Sequence, residues 1–128
     1  MYSVVIAEDD DISARVMVAS LKNSGYDVLR FKNGAEVLAY LREGNKADIL
    51  LTDVLMPQMS GFELIVKLKS ENILPPTMVV TGKQRESDAL EAFHHGVMDY
   101  VAKPVSPKIL LAKVNAIINM TQRTGKTA

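Results

Sequence analysis

The chain has 128 residues, 48% of them hydrophobic and 23% charged, and its Lys and Arg residues balance its Asp and Glu residues. These numbers suit one globular domain with one core, and the absence of clustered basic charge argues against a nucleic-acid or membrane surface. Without Cys, the chain has neither disulfides nor thiolate metal sites. No apolar stretch approaches the roughly 20 residues that span a bilayer, and we expect a cytoplasmic protein.

Short apolar runs alternate with longer segments of helical periodicity. The runs predict strands over 4–7, 27–31, 49–52, 77–81 and 100–102. Helices are predicted from Asp10 or Asp11 to about Asn23, from Gly34 to Gly44, from Phe62 to about Glu71, from Glu86 to His95, and from Ser106 onward. Ala35 and Phe93 are predicted to face the core.

Strands that alternate with helices predict an α/β fold with a parallel sheet covered by helices on both faces. The strand over 27–31 is the most polar, which places it near an edge of the sheet. We expect one domain over residues 1–120. The polar residues 121–128 are either a tail or linker stub or a frayed extension of the last helix.

Polar residues stand at the ends of four predicted strands. Asp9, Asp53, Thr81 and Lys103 each follow or close a different apolar run. Ligands of open α/β sheets bind outside the carboxyl ends of the strands, so these side chains are expected to share one site.

The residue types at this edge suit phosphoryl transfer. Asp53 is the candidate phosphoryl acceptor, because carboxylates form acyl phosphates in nucleophilic catalysis. Glu8 and Asp9 are candidate ligands of Mg²⁺, which prefers oxygen donors. Lys103 would place a positive charge, and Thr81 a hydroxyl group, beside phosphate oxygens.

Each of these residues also has a purely structural interpretation. An Asp before a Pro/Gly turn can simply cap that turn, and acidic residues favour helix N-termini. Asp10 and Asp11 are interpreted in that way, and His94 and His95 as residues at a helix C-terminus. The remaining alternatives are a solvated Lys103, a β-branched strand residue at Thr81 and a core aromatic at Tyr100.

The motifs occur in the order Glu8-Asp9, Asp53 with Met56-Pro57 and Gly61, Thr81, Tyr100 and Lys103-Pro104. In this order the chain resembles the response regulator receiver domain, the CheY-like domain of two-component signalling, from residue 3 to about 120. The pair Glu8-Asp9 departs from the commoner Asp-Asp but keeps two oxygen ligands.

The resemblance implies a doubly wound, flavodoxin-like five-stranded sheet of order 2-1-3-4-5. It implies that Asp53 receives its phosphoryl group from a histidine kinase or a histidine phosphotransfer protein, with Mg²⁺ as cofactor. The backbone carbonyl of Leu55 would be a further metal ligand. The peptide bond between Lys103 and Pro104 is expected to be cis.

The resemblance also implies a conformational switch. Thr81 would move towards the phosphoryl group and Tyr100 would rotate into the space left behind. The face formed by the fourth helix, the fifth strand and the fifth helix (α4-β5-α5) would then change. An effector or output domain that the sequence does not name would read this face, which is also a candidate homodimer surface.

Two other functions are alternatives to this switch. An aspartyl-phosphate phosphatase or phosphotransferase of the haloacid dehalogenase type needs a second Asp two residues after the nucleophile, where this chain has Leu55. A phosphate-independent scaffold would not need Asp9, Asp53, Thr81 and Lys103 together. We therefore expect a phosphoacceptor that catalyses only its own phosphoryl transfer and dephosphorylation, rather than an enzyme.

Overall fold

A five-stranded parallel sheet forms the centre of the molecule. The computed structural model describes residues 1–82, 91 and 93–127, with side chains described as far as residue 122. Its strands are β1 (Ser3–Ala7), β2 (Asp27–Phe31), β3 (Ile49–Asp53), β4 (Thr77–Thr81) and β5 (Asp99–Ala102). Neighbouring strands pair in parallel in the order β2-β1-β3-β4-β5. This order confirms the predicted topology and places β2 at an edge.

The structure describes the helices α1 (Asp11–Asn23), α2 (Gly34–Arg42) and α3 (Gly61–Ser70) and a C-terminal helix (Pro107–Thr127). Side chains of Asp10, Asn33 and Ser60 cap the first three by accepting a hydrogen bond from the backbone three residues later. Asp10 is therefore the cap of α1. Residues 121–127 continue the C-terminal helix.

Alternate residues of each strand face opposite layers of helices, because successive side chains of a strand point to opposite faces. Val4 and Ile6 of β1 pack with α1 and the C-terminal helix, whereas Val5 and Ala7 pack with α2 and α3. Both faces of the central strands are buried, which explains their nearly continuous apolar sequences.

Two predicted core positions are wrong. Ala35 is exposed because it lies beside the buried stripe of α2, which is formed by Gly34, Val37, Leu38 and Leu41. Phe93 is 45% exposed, with its ring edge-on to that of Tyr100 at 6.2 Å between centroids.

The predicted helix over 86–95 falls mostly on 83–90 and 92, which lie outside the described residues. Among the helices that are described, none has the length and apolar composition needed to cross a bilayer.

Candidate functional site

The parallel sheet brings the chemically active residues to one edge. Glu8 follows β1, Asp53 and Thr81 are the last residues of β3 and β4, and Lys103 follows β5. Glu8 is completely buried, Asp53 is 7% exposed and Asp9 is exposed. The site therefore has two buried carboxylates at its bottom and one exposed carboxylate at its mouth.

Lys103 lies between the two buried carboxylates. Its Nζ donates a hydrogen bond to Asp53 Oδ2 at 2.8 Å and lies 2.6 Å from Glu8 Oε1. Glu8 Oε2 accepts a hydrogen bond from the Asp10 backbone at 3.2 Å, but Oε1 accepts none of regular geometry. One ammonium group thus serves two carboxylates, Glu8 through Oε1 and Asp53 through Oδ2.

The protonation of this cluster follows from its burial. Burial raises the pKa of Glu8 to about 7; Lys103 opposes the shift and the Asp53 carboxylate adds to it. For Lys103, burial lowers the pKa, but Asp53 and Glu8 outweigh it and hold the pKa above its usual value. The environment of Lys103 therefore favours its charged form, and the burial of Glu8 displaces its pKa towards neutrality.

A pH-dependent stability follows from Glu8. Because the folded chain binds this proton up to about pH 7 and the unfolded chain only up to about pH 4.5, the folded state holds more protons between these values. The free energy of unfolding should therefore fall by roughly 3 kcal/mol as the pH rises through this window in metal-free buffer. Urea titrations of the wild type and Glu8→Gln at several pH values measure the difference. If the free energy of unfolding depended equally on pH in both proteins, the assignment would be contradicted.

Three carboxylates form a group that fits a divalent cation. One oxygen each from Glu8, Asp9 and Asp53 lie within 4.8 Å of one another. With these groups and Lys103 all ionised, two negative charges remain uncompensated, which a divalent cation would balance. An all-oxygen donor set suits a hard cation such as Mg²⁺ or Ca²⁺.

The turn after β3 holds Asp53 by its backbone. Thr52 Oγ1 donates to the Asp53 carbonyl oxygen at 2.9 Å, and the Leu55 backbone amide lies 3.4 Å from Asp53 Oδ1. Gly61 N donates to the Val54 carbonyl oxygen at 2.8 Å. A Cβ atom at Gly61 would overlap the Asp53 carbonyl oxygen, so this close approach requires glycine.

The structure joins the Thr81 and Lys103 segments at the backbone. Lys103 N donates to the Thr81 carbonyl oxygen at 2.8 Å, which extends the pairing of β4 with β5 to the site. The peptide bond between Lys103 and Pro104 is cis, the isomer that the resemblance implied.

Tyr100 is placed differently from the other predicted site residues. Its ring contacts Phe93, and Lys113 Nζ lies 5.3 Å from the ring centroid. Lys113 Nζ also donates to the Tyr100 carbonyl oxygen at 2.7 Å and lies 3.1 Å from Asp99 Oδ1. Tyr100 is thus tied to the C-terminal helix.

Sequence analysis missed two contributing residues, Arg30 and Lys113. Arg30 contacts the loop that carries Glu8 and Asp9, and Lys113 contacts Tyr100. Neither residue belongs to a recognisable sequence motif. Each donates to a backbone carbonyl oxygen that is distant in sequence. Only the tertiary structure reveals these contacts.

A family model for the response regulator receiver domain matches residues 4–115. The chain belongs to this family. The receiver domain is 32% identical over 121 residues to the transcriptional regulatory protein SrrA of Staphylococcus aureus, covering 94% of this chain and 49% of that protein. It is 29% identical over 119 residues to the alkaline phosphatase synthesis transcriptional regulatory protein PhoP of Bacillus subtilis, covering 93% and 49%.

Solved structures support the same assignment. The CheY-like response regulator receiver domain protein from Methanospirillum hungatei superposes with a TM-score of 0.88 at 25% identity, covering 97% of this chain and 98% of that one. The chain spans about half the length of the curated relatives named above. The similarity to those two relatives therefore concerns about half of each of them.

Proposed function

We propose that this receiver domain is switched by phosphorylation of Asp53. The observation that carries the proposal is the position of Asp53 at the end of β3, with Lys103 Nζ 2.8 Å from Oδ2 and two further carboxylates beside it. Receiver domains of response regulators are signalling switches, and Asp53 is the buried carboxylate at the end of a strand that pairs with Lys103. Thr81, at the end of β4, would donate its hydroxyl group to a phosphoryl oxygen.

The reaction transfers one phosphoryl group. An Asp53 oxygen forms a bond to phosphorus as the bond between phosphorus and nitrogen of a donor phosphohistidine breaks, and the bonding electrons remain on the imidazole nitrogen. Lys103, already charged, would stabilise the phosphoryl oxygens without any proton transfer. With a small acyl phosphate as donor, the broken bond joins phosphorus to oxygen and a carboxylate leaves.

We propose Glu8, Asp9, Asp53 and the Leu55 backbone carbonyl as ligands of Mg²⁺. The cation would supply Lewis-acid neutralisation of the phosphoryl charge. The mutual approach of the three carboxylates supports this assignment.

Removing the charge of Asp9 should weaken Mg²⁺ binding about tenfold, because one anionic ligand is lost from an exposed position where it has little structural role. The matched control is Asp10→Asn, which changes the neighbouring charge but keeps a residue able to cap α1. Titration of both variants with Mg²⁺ measures the effect. Equal affinities for the two variants would exclude Asp9 as a ligand.

The remaining parts of the proposal concern signalling. A histidine kinase or histidine phosphotransfer protein would act as donor. An effector or output domain would read the face formed by the predicted helix over 86–95, β5 and the C-terminal helix (the α4-β5-α5 face), with Thr81 and Tyr100 as the switch residues. The proposal also includes homodimerisation through that face, a receiver unit over 1–120 and a location in the cytoplasm. It includes no enzymatic activity beyond the domain's own phosphoryl transfer and dephosphorylation.

Intact-mass spectrometry tests the proposal directly. After incubation with acetyl phosphate and Mg²⁺, the chain should gain the mass of one phosphoryl group, and a chelator should prevent the gain. If neither acetyl phosphate nor a histidine-phosphorylated transfer protein modifies the metal-loaded chain, the phosphate-independent scaffold becomes the better explanation.

A further inference from the structure

Arg30 on the edge strand β2 is tied to the loop that carries Glu8 and Asp9. Its Nε donates a hydrogen bond to the Glu8 carbonyl oxygen at 2.8 Å, and its Nη2 lies 2.9 Å from Asp11 Oδ1. The side chain is only 20% exposed. One planar guanidinium group therefore holds the acidic loop at two points, one on each side of Asp9.

The contact with Glu8 continues the pairing of β1 with β2. The Glu8 amide donates to the Phe31 carbonyl oxygen at 3.0 Å, where β2 ends. Beyond Phe31 the chain turns at Asn33, the cap of α2. The next carbonyl group after β1 is that of Glu8. It accepts its hydrogen bond from the Arg30 side chain. The backbone of Glu8 is thus held at the point where its side chain enters the site.

The two contacts of Arg30 differ in their surroundings. The Asp11 side chain is 63% exposed, so this ion pair is largely screened by solvent. The hydrogen bond to Glu8 is partly buried, has a charged donor and acts on the backbone of a residue whose carboxylate is fully buried. The Glu8 contact is therefore the one able to orient the site.

We infer that Arg30 is a positioning residue for the proposed metal site, orienting Glu8 and Asp9 through the Glu8 backbone. The inference rests on the proposed function, in which these carboxylates bind Mg²⁺. Substitution of residues that orient metal ligands without touching the metal commonly weakens metal binding by about 10- to 100-fold. We expect an effect in this range for Arg30.

Charge alone and positioning predict opposite changes in Mg²⁺ affinity when Arg30 is replaced. Arg30 is a positive charge beside a cation site, so its removal should by charge alone strengthen Mg²⁺ binding. Removal of the Asp11 charge should by the same argument weaken it. Positioning through Glu8 predicts the opposite order, with Arg30→Gln binding Mg²⁺ more weakly than Asp11→Asn.

The experiment compares the Mg²⁺ affinity of the wild type, Arg30→Gln and Asp11→Asn at a temperature where all three are folded. We expect about a tenfold loss for Arg30→Gln and less than a twofold change for Asp11→Asn. Unchanged or tighter binding by Arg30→Gln would overturn the inference. If Arg30→Gln does not fold, Arg30→Lys replaces it, because it keeps the charge and loses the two-pronged contact. A loss of affinity in this variant supports positioning, and wild-type affinity together with faster exchange of its Glu8 amide contradicts it.

Amide hydrogen exchange of the metal-free protein provides a second readout. The Glu8 and Asp10 amides, which donate to Phe31 and to the Glu8 side chain, should exchange several-fold faster in Arg30→Gln but not in Asp11→Asn. If the wild type binds no Mg²⁺, the proposed metal site fails, whereas exchange still shows whether Arg30 orders the loop. Unchanged exchange at both amides would overturn its positioning role irrespective of metal binding.

Discussion

Asp53→Asn should take up no phosphoryl group from acetyl phosphate under conditions in which the wild type is fully modified. The amide has nearly the same shape as the carboxylate but lacks the anionic oxygen that forms the acyl phosphate. Intact-mass spectrometry measures the result. Uptake by the variant at the wild-type rate would place the acceptor elsewhere in the chain.

Loss of uptake in this variant would not reflect unfolding. Asp53→Asn removes one of two buried carboxylates that share Lys103, and the remaining Glu8 carboxylate keeps the ammonium group paired. Its thermal stability should therefore equal or exceed that of the wild type in metal-free buffer. Asp27→Asn is the matched control, since Asp27 is an exposed residue at the start of β2 and its substitution should leave phosphorylation unchanged.

Gly61→Ala should destabilise the fold by at least about 2 kcal/mol and slow phosphorylation of Asp53. The added Cβ would overlap the Asp53 carbonyl oxygen and lie 3.0 Å from its carbonyl carbon, so backbone on one side must move. The displaced backbone carries the phosphoryl acceptor. Urea unfolding measures the stability, and the rate of mass gain with acetyl phosphate measures the displacement of the site.

Gly34→Ala is a matched control for this substitution. Gly34 and Gly61 are both the first residue of a capped helix, so Ala restricts the unfolded chain similarly at both positions. At Gly34 the new Cβ would lie 3.3 Å from the flexible Met59 side chain rather than overlapping backbone. We expect a change below about 1 kcal/mol and unaltered phosphorylation. Equal effects of the two substitutions would show that overlap with the Asp53 backbone does not cause the loss of stability or the slower phosphorylation.

The sheet could be predicted because each of its central strands is buried on both faces and is therefore a short apolar run. The runs containing Ile49–Asp53 and Thr77–Thr81 were recognised within one residue of their bounds. Positions beside a buried helical stripe were harder to assign. Ala35 fits the apolar spacing of α2 almost as well as Val37, and only the packed helix shows which of them faces the sheet.

The sequence by itself determined which residues stand at the carboxyl ends of the strands, because strand ends are local features and parallel topology brings them to one edge. It thereby predicted that Asp9, Asp53, Thr81 and Lys103 share one site before any distance was known. The tertiary structure alone decided how one ammonium group serves two carboxylates, and how burial raises the pKa of Glu8. It also decided the contact of Arg30 with the Glu8 backbone, since a side chain that binds the carbonyl of a residue 22 positions away leaves no pattern in the sequence.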